Sequence, residues 1–210
     1  SPTKLSNAYT NIDMITLQGQ ISYNRTFNKV HAVEATFVYE QTANHSRVAG
    51  LAREYSFYTG DQINLGSLNN QTNSGMENDV TNMSYIGRVS YGYDNRYLID
   101  MAFRYDGSCL YSPSQRWGFF PVISAAWRIS EEHFMKQQHV VSNLKLRGSW
   151  GVLGEDNGMP FQYIPGFSLS GGGGYEFENG VWTEGANSPA LTNNRLTWFT
   201  SKTLDLGIDL

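Results

Sequence analysis

The stretch Tyr85–Tyr105, YIGRVSYGYDNRYLIDMAFRY, decides the fold class. With Met83 before it, Tyr85, Val89, Tyr91 and Tyr93 fall on one side of an extended chain. Ser84, Ile86, Arg88, Ser90 and Asp94 fall on the other. Asp94-Asn95 makes a tight turn, and the chain returns with Tyr97, Ile99, Met101, Phe103 and Tyr105 on the apolar side, against Asp100, Arg104 and Asp106. Successive strand side chains point to opposite faces, so a period of two with one apolar side marks strands that border two different surroundings. Two such runs joined by two residues predict a β-hairpin.

The same alternation extends both ways. Upstream, Ile15, Leu17, Gly19, Ile21, Tyr23 and Phe27 share a face, Asn28-Lys29 turns, and Val33, Ala35, Phe37 and Tyr39 return. Downstream, Phe119, Ile123, Ala125, Trp127 and Ile129 oppose Ser124, Ala126 and Arg128. Leu144, Leu146, Trp150 and Val152 oppose Lys145, Arg147 and Ser149, and Leu204, Leu206, Ile208 and Leu210 oppose Thr203, Asp205 and Asp209. The reading is an all-β, antiparallel sheet of seven long strands. Its connections alternate: short turns at one end, long loops over 42–82, 107–116 and 154–201 at the other, with 131–143 placed as a helical turn at the short end.

Two magnitudes separate a membrane barrel from a soluble β-sandwich. Soluble strands usually run about 5–6 residues, and tilted membrane strands about 9–11; Ile15–Phe27 and Met83–Tyr93 suit the second. The charge split points the same way. The apolar faces carry Arg25 alone, close to a turn, where an Arg facing lipid costs about 0–1 kcal/mol instead of the roughly 2–4 kcal/mol of the midplane. The opposite faces carry Arg88, Asp100, Arg104, Asp106, Arg128, Lys145 and Arg147, expected to face the lumen of a transmembrane β-barrel. Across the 210 residues only 16% are charged while 14% are aromatic, and the net charge is −4. The acidic balance argues against nucleic acid as a partner. The mean hydropathy of −0.41 excludes a spanning helix but not a barrel, whose alternating strands average to a polar score. The single cysteine, Cys109, excludes an internal disulfide. A soluble, secreted carbohydrate-binding sandwich remains the alternative, and a passive porin a third reading.

The residues also carry a family signature. The stretch YIGRVSYGYDNRYLIDMAFRYDGSCLYSPSQRWGFFPVISAAWRISEEHFM, Tyr85–Met135, resembles SusC-like (RagA-like) TonB-dependent outer-membrane transporters. VSNLKLRGSWGVLGEDN from Val141 and SKTLDLGIDL from Ser201 resemble later barrel strands of the same family. Cys109-Leu110 departs from a hydroxyl residue followed by a basic one, and Thr192–Thr200 is longer and less charged than the family's approach to its final motif. The resemblance implies a barrel of about 22 strands around an N-terminal plug, in the bacterial outer membrane. It implies energy from a TonB complex reached through an N-terminal region, a SusD-like lipoprotein partner, outer-membrane lipid around the wall, and glycan or peptide substrates. Seven strands cannot close such a barrel, so residues 1–210 are expected to be part of the barrel domain, with plug and remaining strands elsewhere.

No catalytic residue, metal or cofactor is expected. His31, His45, His133 and His139 lack ligand spacing, and Glu131-Glu132 and Glu155-Asp156 are adjacent carboxylates on extended chain. Gly171–Gly174 has no Lys-Ser/Thr after it, so it is not a phosphate loop, and Cys109 has no sequence-evident activating base. Substrate contact is expected from ring faces in the outer loops: Tyr111, Trp117, Tyr163, Phe167, Tyr175, Trp182 and Trp198. The competing reading, and the commoner one for such rings, is that they pack the loops against each other.

Overall fold

Two turns organise the sheet. Asn28 and Lys29 stand at φ 50° and 61°, and Asp94 and Asn95 at 48° and 55°. Positive φ at both central residues is the type I′ turn, whose twist matches that of the strands it joins. Val30 N–H donates to Phe27 C=O at 3.1 Å and Arg96 N–H to Tyr93 C=O at 2.9 Å, closing each loop.

The computed structural model describes residues 3–56, 62–135, 142–156, 161–167, 174–178, 180–189 and 191–210. Its strands are β1 (Thr3–Phe27), β2 (His31–Tyr55), β3 (Gln71–Tyr93), β4 (Tyr97–Ser108), β5 (Trp117–Arg128), β6 (Lys145–Glu155), β7 (Gly174–Glu178), β8 (Val181–Glu184) and β9 (Phe199–Asp209). Seven form one sheet in the order β1-β2-β3-β4-β5-β6-β9, and β7 with β8 forms a separate hairpin. The pairings of β4 with β5, β5 with β6 and β6 with β9 are antiparallel. Among the described residues no helix is long and apolar enough to cross a membrane.

Three sequence expectations need correction. The predicted loop 42–82 is mostly strand: β2 runs on to Tyr55, β3 starts at Gln71, and β1 begins at Thr3 instead of near Ile15. In these outer parts neither face is apolar, so the period-two signal vanishes while the backbone ladder continues. The loop 154–201 holds the β7–β8 hairpin, too short to register as alternation. Finally, β9 starts at Phe199, which places Lys202 opposite Val152 on the apolar side near the loop end, a second charge on that face beside Arg25. A 3-10 turn, Ile129–Glu131, precedes the stretch 131–143 expected to form a helical turn and shares only Glu131 with it, and residues 136–141 lie outside the described residues.

The chain divides into two compact units. One, Ser1–Gln18 with Glu40–Asn82, is held by polar side chains: His45 Nδ1 lies 2.5 Å from Asp79 Oδ1, and Arg47 Nε 2.6 Å from Glu77 Oε1. Within it Tyr55, buried, donates its hydroxyl to Gln62 C=O at 2.7 Å. The other, Gly19–Tyr39 with Met83–Leu210, contains every candidate site residue.

Candidate functional site

Register shows how the second unit separates two environments. Tyr97, Ile99, Met101, Phe103, Tyr105 and Gly107 of β4 face Trp127, Ala125, Ile123, Pro121, Phe119 and Trp117 of β5, pair by pair. Leu98, Asp100, Ala102, Arg104 and Asp106 face Ala126, Ser124, Val122, Phe120 and Gly118 on the opposite side. The apolar side is bare: Ile21, Met101, Trp150 and Leu206 are all exposed. Among the described residues only Val38, Tyr55, Tyr111 and Phe120 are buried hydrophobic side chains. A soluble sandwich would cover one such face with a second sheet at about 10 Å; among the described residues this face stays exposed.

Aromatic rings bound this bare face at two levels. At the turn end His31 stacks on Tyr91 and contacts Tyr93 (6.1 and 5.1 Å between centroids), and Tyr93, Tyr97 and Trp127 follow at 6.3 Å steps. At the loop end the chain is Tyr39–Tyr85 (5.5 Å), Tyr85–Tyr105 (6.5 Å) and Tyr105–Trp117 (4.7 Å). Eight residues separate the two levels on β3 and β4, and ten on β5. At about 3.3 Å per residue that is roughly 26–33 Å along a strand, and a tilt of about 40° leaves roughly 20–25 Å of height, close to the apolar band of an outer-membrane barrel. Between the levels β3, β4 and β5 present Gly87, Val89, Ile99, Met101, Phe103, Phe119, Pro121, Ile123 and Ala125, with no charge among them. Arg25 lies at the turn level, its guanidinium 5.1 Å from the Phe27 ring centroid.

Glycine lets the rings lie flat on the sheet. The Phe103 ring covers Gly87 and the Trp117 ring covers its cross-strand partner Gly107, so a Cβ at either glycine would collide with the ring. Such glycine–aromatic pairing pins the register of long strands.

The opposite face is ionic. Arg88 grips Asp100 with a fork, Nε to Oδ2 at 3.0 Å and Nη2 to Oδ2 at 2.7 Å, and the Ser90 hydroxyl donates to the same oxygen at 2.6 Å. Arg104 pairs with Asp106 at 3.1 Å, and Asp209 accepts from Arg147 at 3.2 Å with Lys145 at 3.8 Å. Of the seven predicted lumen-facing charges, six are thus paired among the described residues, and Arg128 is not.

The predicted loop aromatics part company. Tyr111 is 2% exposed and packs on Trp198 at 5.6 Å, and Trp198 meets Phe120 edge-on at 5.3 Å. Trp198 donates its indole N–H to Arg116 C=O at 2.9 Å, and the Tyr163 hydroxyl donates to Cys109 C=O at 3.3 Å. The Ser108 hydroxyl donates to Asp156 at 2.7 Å and that of Ser112 to Asn194 C=O at 3.0 Å. Tyr111, Tyr163 and Trp198 therefore fasten the 109–116 loop to the 156–198 segment, and Tyr111 has no face left for a ligand. Trp117 belongs to the loop-end aromatic level on the apolar side. Phe167, Tyr175 and Trp182 are open, at 68%, 67% and 61% exposure. Tyr175 pairs with Thr183 and Trp182 with Glu176, so these two rings take opposite faces of the β7–β8 hairpin and do not form one platform. Residues 171–173 of the glycine run and His139 lie outside the described residues. Among the described residues no three His, Cys, Asp or Glu side chains converge as a metal site would need.

One polar centre escaped the sequence reading. Glu132, 8% exposed, accepts from the Tyr97 hydroxyl at 2.6 Å and the Trp127 indole at 3.1 Å, and Arg96 reaches its second oxygen at 3.1 Å. Arg96 also bridges to Asp94 at 2.5 Å. The Tyr97 hydrogen bond above all, then that of Trp127 and, more weakly, Arg96, hold the Glu132 carboxyl below the ordinary range despite desolvation. Adjacent carboxylates read as a solvated turn; a carboxylate five residues beyond an aromatic-level Trp was the available clue.

Comparison with known proteins agrees with this geometry. No protein-family profile matches the sequence. The chain is 37% identical over 131 residues to the TonB-dependent receptor SusC of Bacteroides thetaiotaomicron, which uses 61% of this chain and 13% of that protein. It is 31% identical over 207 residues to a TonB-dependent receptor of Formosa agariphila, using 90% of this chain and 18% of that one. Among solved structures, the RagAB peptide importer in its closed-closed state superposes with a TM-score of 0.81 at 16% identity, over 97% of this chain and 22% of that one. Its open-open state gives 0.80 at the same identity, over 98% and 22%. The chain thus spans about a fifth or less of the length of the proteins it matches. Its sequence is similar to part of SusC and of other TonB-dependent receptors, and its seven-stranded sheet has the fold of part of the RagAB importer structure.

Proposed function

We propose that residues 1–210 form part of the barrel wall of an outer-membrane, TonB-dependent active transporter that imports glycans or peptides with a SusD-like surface lipoprotein. The uncharged band between two aromatic levels carries this reading, because roughly 20–25 Å of bare apolar sheet is matched by the hydrocarbon of an outer membrane and by no aqueous surrounding. The short-turn end then faces the periplasm and the loops face outward. The ionic face lines the lumen, where Arg88, Arg104 and Arg147 hold their carboxylate partners. Phe167, Tyr175 and Trp182 are the loop rings open to cargo; flat ring faces suit sugar rings and apolar peptide side chains alike. The plug, the remaining strands and the TonB contact belong to the rest of the protein.

The test is fractionation of the source cells and an immunoblot raised against this segment. An outer-membrane band far above 23.6 kDa supports the reading. A soluble band near 23.6 kDa sinks it.

A further inference from the structure

Charge is one-sided around the β7–β8 hairpin. Between Arg147 and Arg195 the sequence carries Glu155, Asp156, Glu176, Glu178 and Glu184, and no lysine, arginine or histidine. Glu176 and Glu178 are exposed, and neither forms an ion pair among the described residues. Register sets Glu176 directly opposite Trp182, so a carboxylate and an indole share one face of the hairpin. Glu184 takes the next register position on that face, opposite Gly174. The indole lies down over Gly174, where a Cβ would meet Trp182 Cε2 and Cζ2 at 2.8 Å, and its outer face is open to water. Glu176 is oriented by the turn: the Gly180 N–H donates to its Oε1, and its Oε2 has no protein donor among the described residues.

The face of an indole is the negative side of its quadrupole and attracts a cation set over it, arginine most often. A carboxylate beside the ring accepts hydrogen bonds from the same cation. A ring and a carboxylate also suit a sugar, by stacking and by hydroxyl hydrogen bonds, but a neutral sugar gains nothing from the surrounding negative charge. A segment with acids and no bases concentrates cations near it and speeds their encounter. A guanidinium fits both halves at once: its plane stacks flat on the ring while its edge presents N–H donors to Glu176. An ammonium is a more strongly hydrated point charge and exploits the flat ring less well.

We infer that Trp182 and Glu176 form a guanidinium subsite on the outer hairpin, which favours peptide cargo bearing arginine. The inference rests on the proposed transporter reading and narrows its cargo. The test is equilibrium binding of two fluorescent, end-blocked peptides to the purified full-length receptor in detergent: one with arginine between alanines, the other with citrulline in its place. Citrulline keeps the shape and removes the charge. The arginine peptide should bind roughly 3- to 30-fold tighter, the range of a single cation–π contact. Trp182→Ala and Glu176→Gln should each erase that difference; glutamine keeps an oxygen for the Gly180 N–H, so the turn survives the exchange. Equal binding of the two peptides, binding of neither, or an arginine preference that survives both substitutions would overturn the inference. So would a charge preference confined to a deacetylated chitin oligosaccharide over its acetylated form, which would give the subsite to an amino sugar. Each of these outcomes leaves the transporter reading intact, and that reading fails separately if the blot shows a soluble 23.6 kDa product.

Discussion

Ile123 and Ser124 are neighbours on β5 that face opposite ways: Ile123 pairs with Met101 on the apolar side, and Ser124 with Asp100 on the ionic side. Ile123 lies four residues from Trp127 and six from Trp117. That is roughly 10 and 15 Å in depth from the two aromatic levels, at about 3.3 Å per residue and a tilt near 40°. It is therefore close to the midplane, where an Arg facing lipid costs about 2–4 kcal/mol. Ile123→Arg should lower the folding equilibrium by roughly 30- to 1,000-fold. Ser124→Arg places the same side chain beside Asp100 in the lumen and should shift stability by less than about 1 kcal/mol. The assay is reversible denaturant titration of the full-length receptor refolded into phospholipid vesicles, comparing both variants with the parent at fixed slope. Equal costs, or a larger cost at Ser124, would refute the assignment of faces and with it the membrane band.

Three further outcomes follow from the packing. Phe120, buried against Trp198 and over Gly118 and Gly154, should cost about 3–5 kcal/mol as Phe120→Ala in the same titration. Trp182→Ala or Phe167→Ala should leave that titration unchanged and weaken cargo uptake, whereas Trp198→Ala should shift the melt; uptake unaffected in both open-ring variants would remove those rings from cargo recognition. Glu132 has a depressed pKa, so its contribution is full above the ordinary glutamate value of about 4.3 and is lost as pH falls through its lower folded value. The parent should therefore destabilise on acidification below about pH 4.5, and Glu132→Gln should be weaker at neutral pH with a flatter acid limb in that window.

What was legible in the sequence was whatever two environments write into alternation. Tyr97–Tyr105 could be assigned a face residue by residue because one side carries no charge and the other carries Asp100 and Arg104. Where both faces are wetted that contrast disappears, which is why His45, Arg47, Glu77 and Asp79 read as loop although they sit on paired strands. The loop aromatics were ambiguous for a different reason. Nothing local distinguishes Tyr111, clamped by Trp198, from Phe167, open to water; the difference is made by Asn194 and Thr197, more than eighty residues from their partners Ser112 and Gln115. Glu132 escaped because its donors lie on β4 and β5, and only the hairpin between them brings Tyr97 and Trp127 to one carboxylate.

The same physics says what this stretch requires of its surroundings. A soluble domain of this length buries a core; here four hydrophobic side chains among the described residues are buried, and the largest apolar surface is outward. Packing between side chains therefore cannot be the main source of stability, and under the proposed transporter reading the sheet depends on lipid along one face. Lipid satisfies carbon but not backbone. In hydrocarbon each unpaired N–H or C=O costs several kcal/mol, and the sheet order leaves β1 and β9 each with a neighbour on one side only. Within the apolar band both edges must meet further strands before the bilayer can accept them, and that closure also converts the ionic face from an open surface into a lumen.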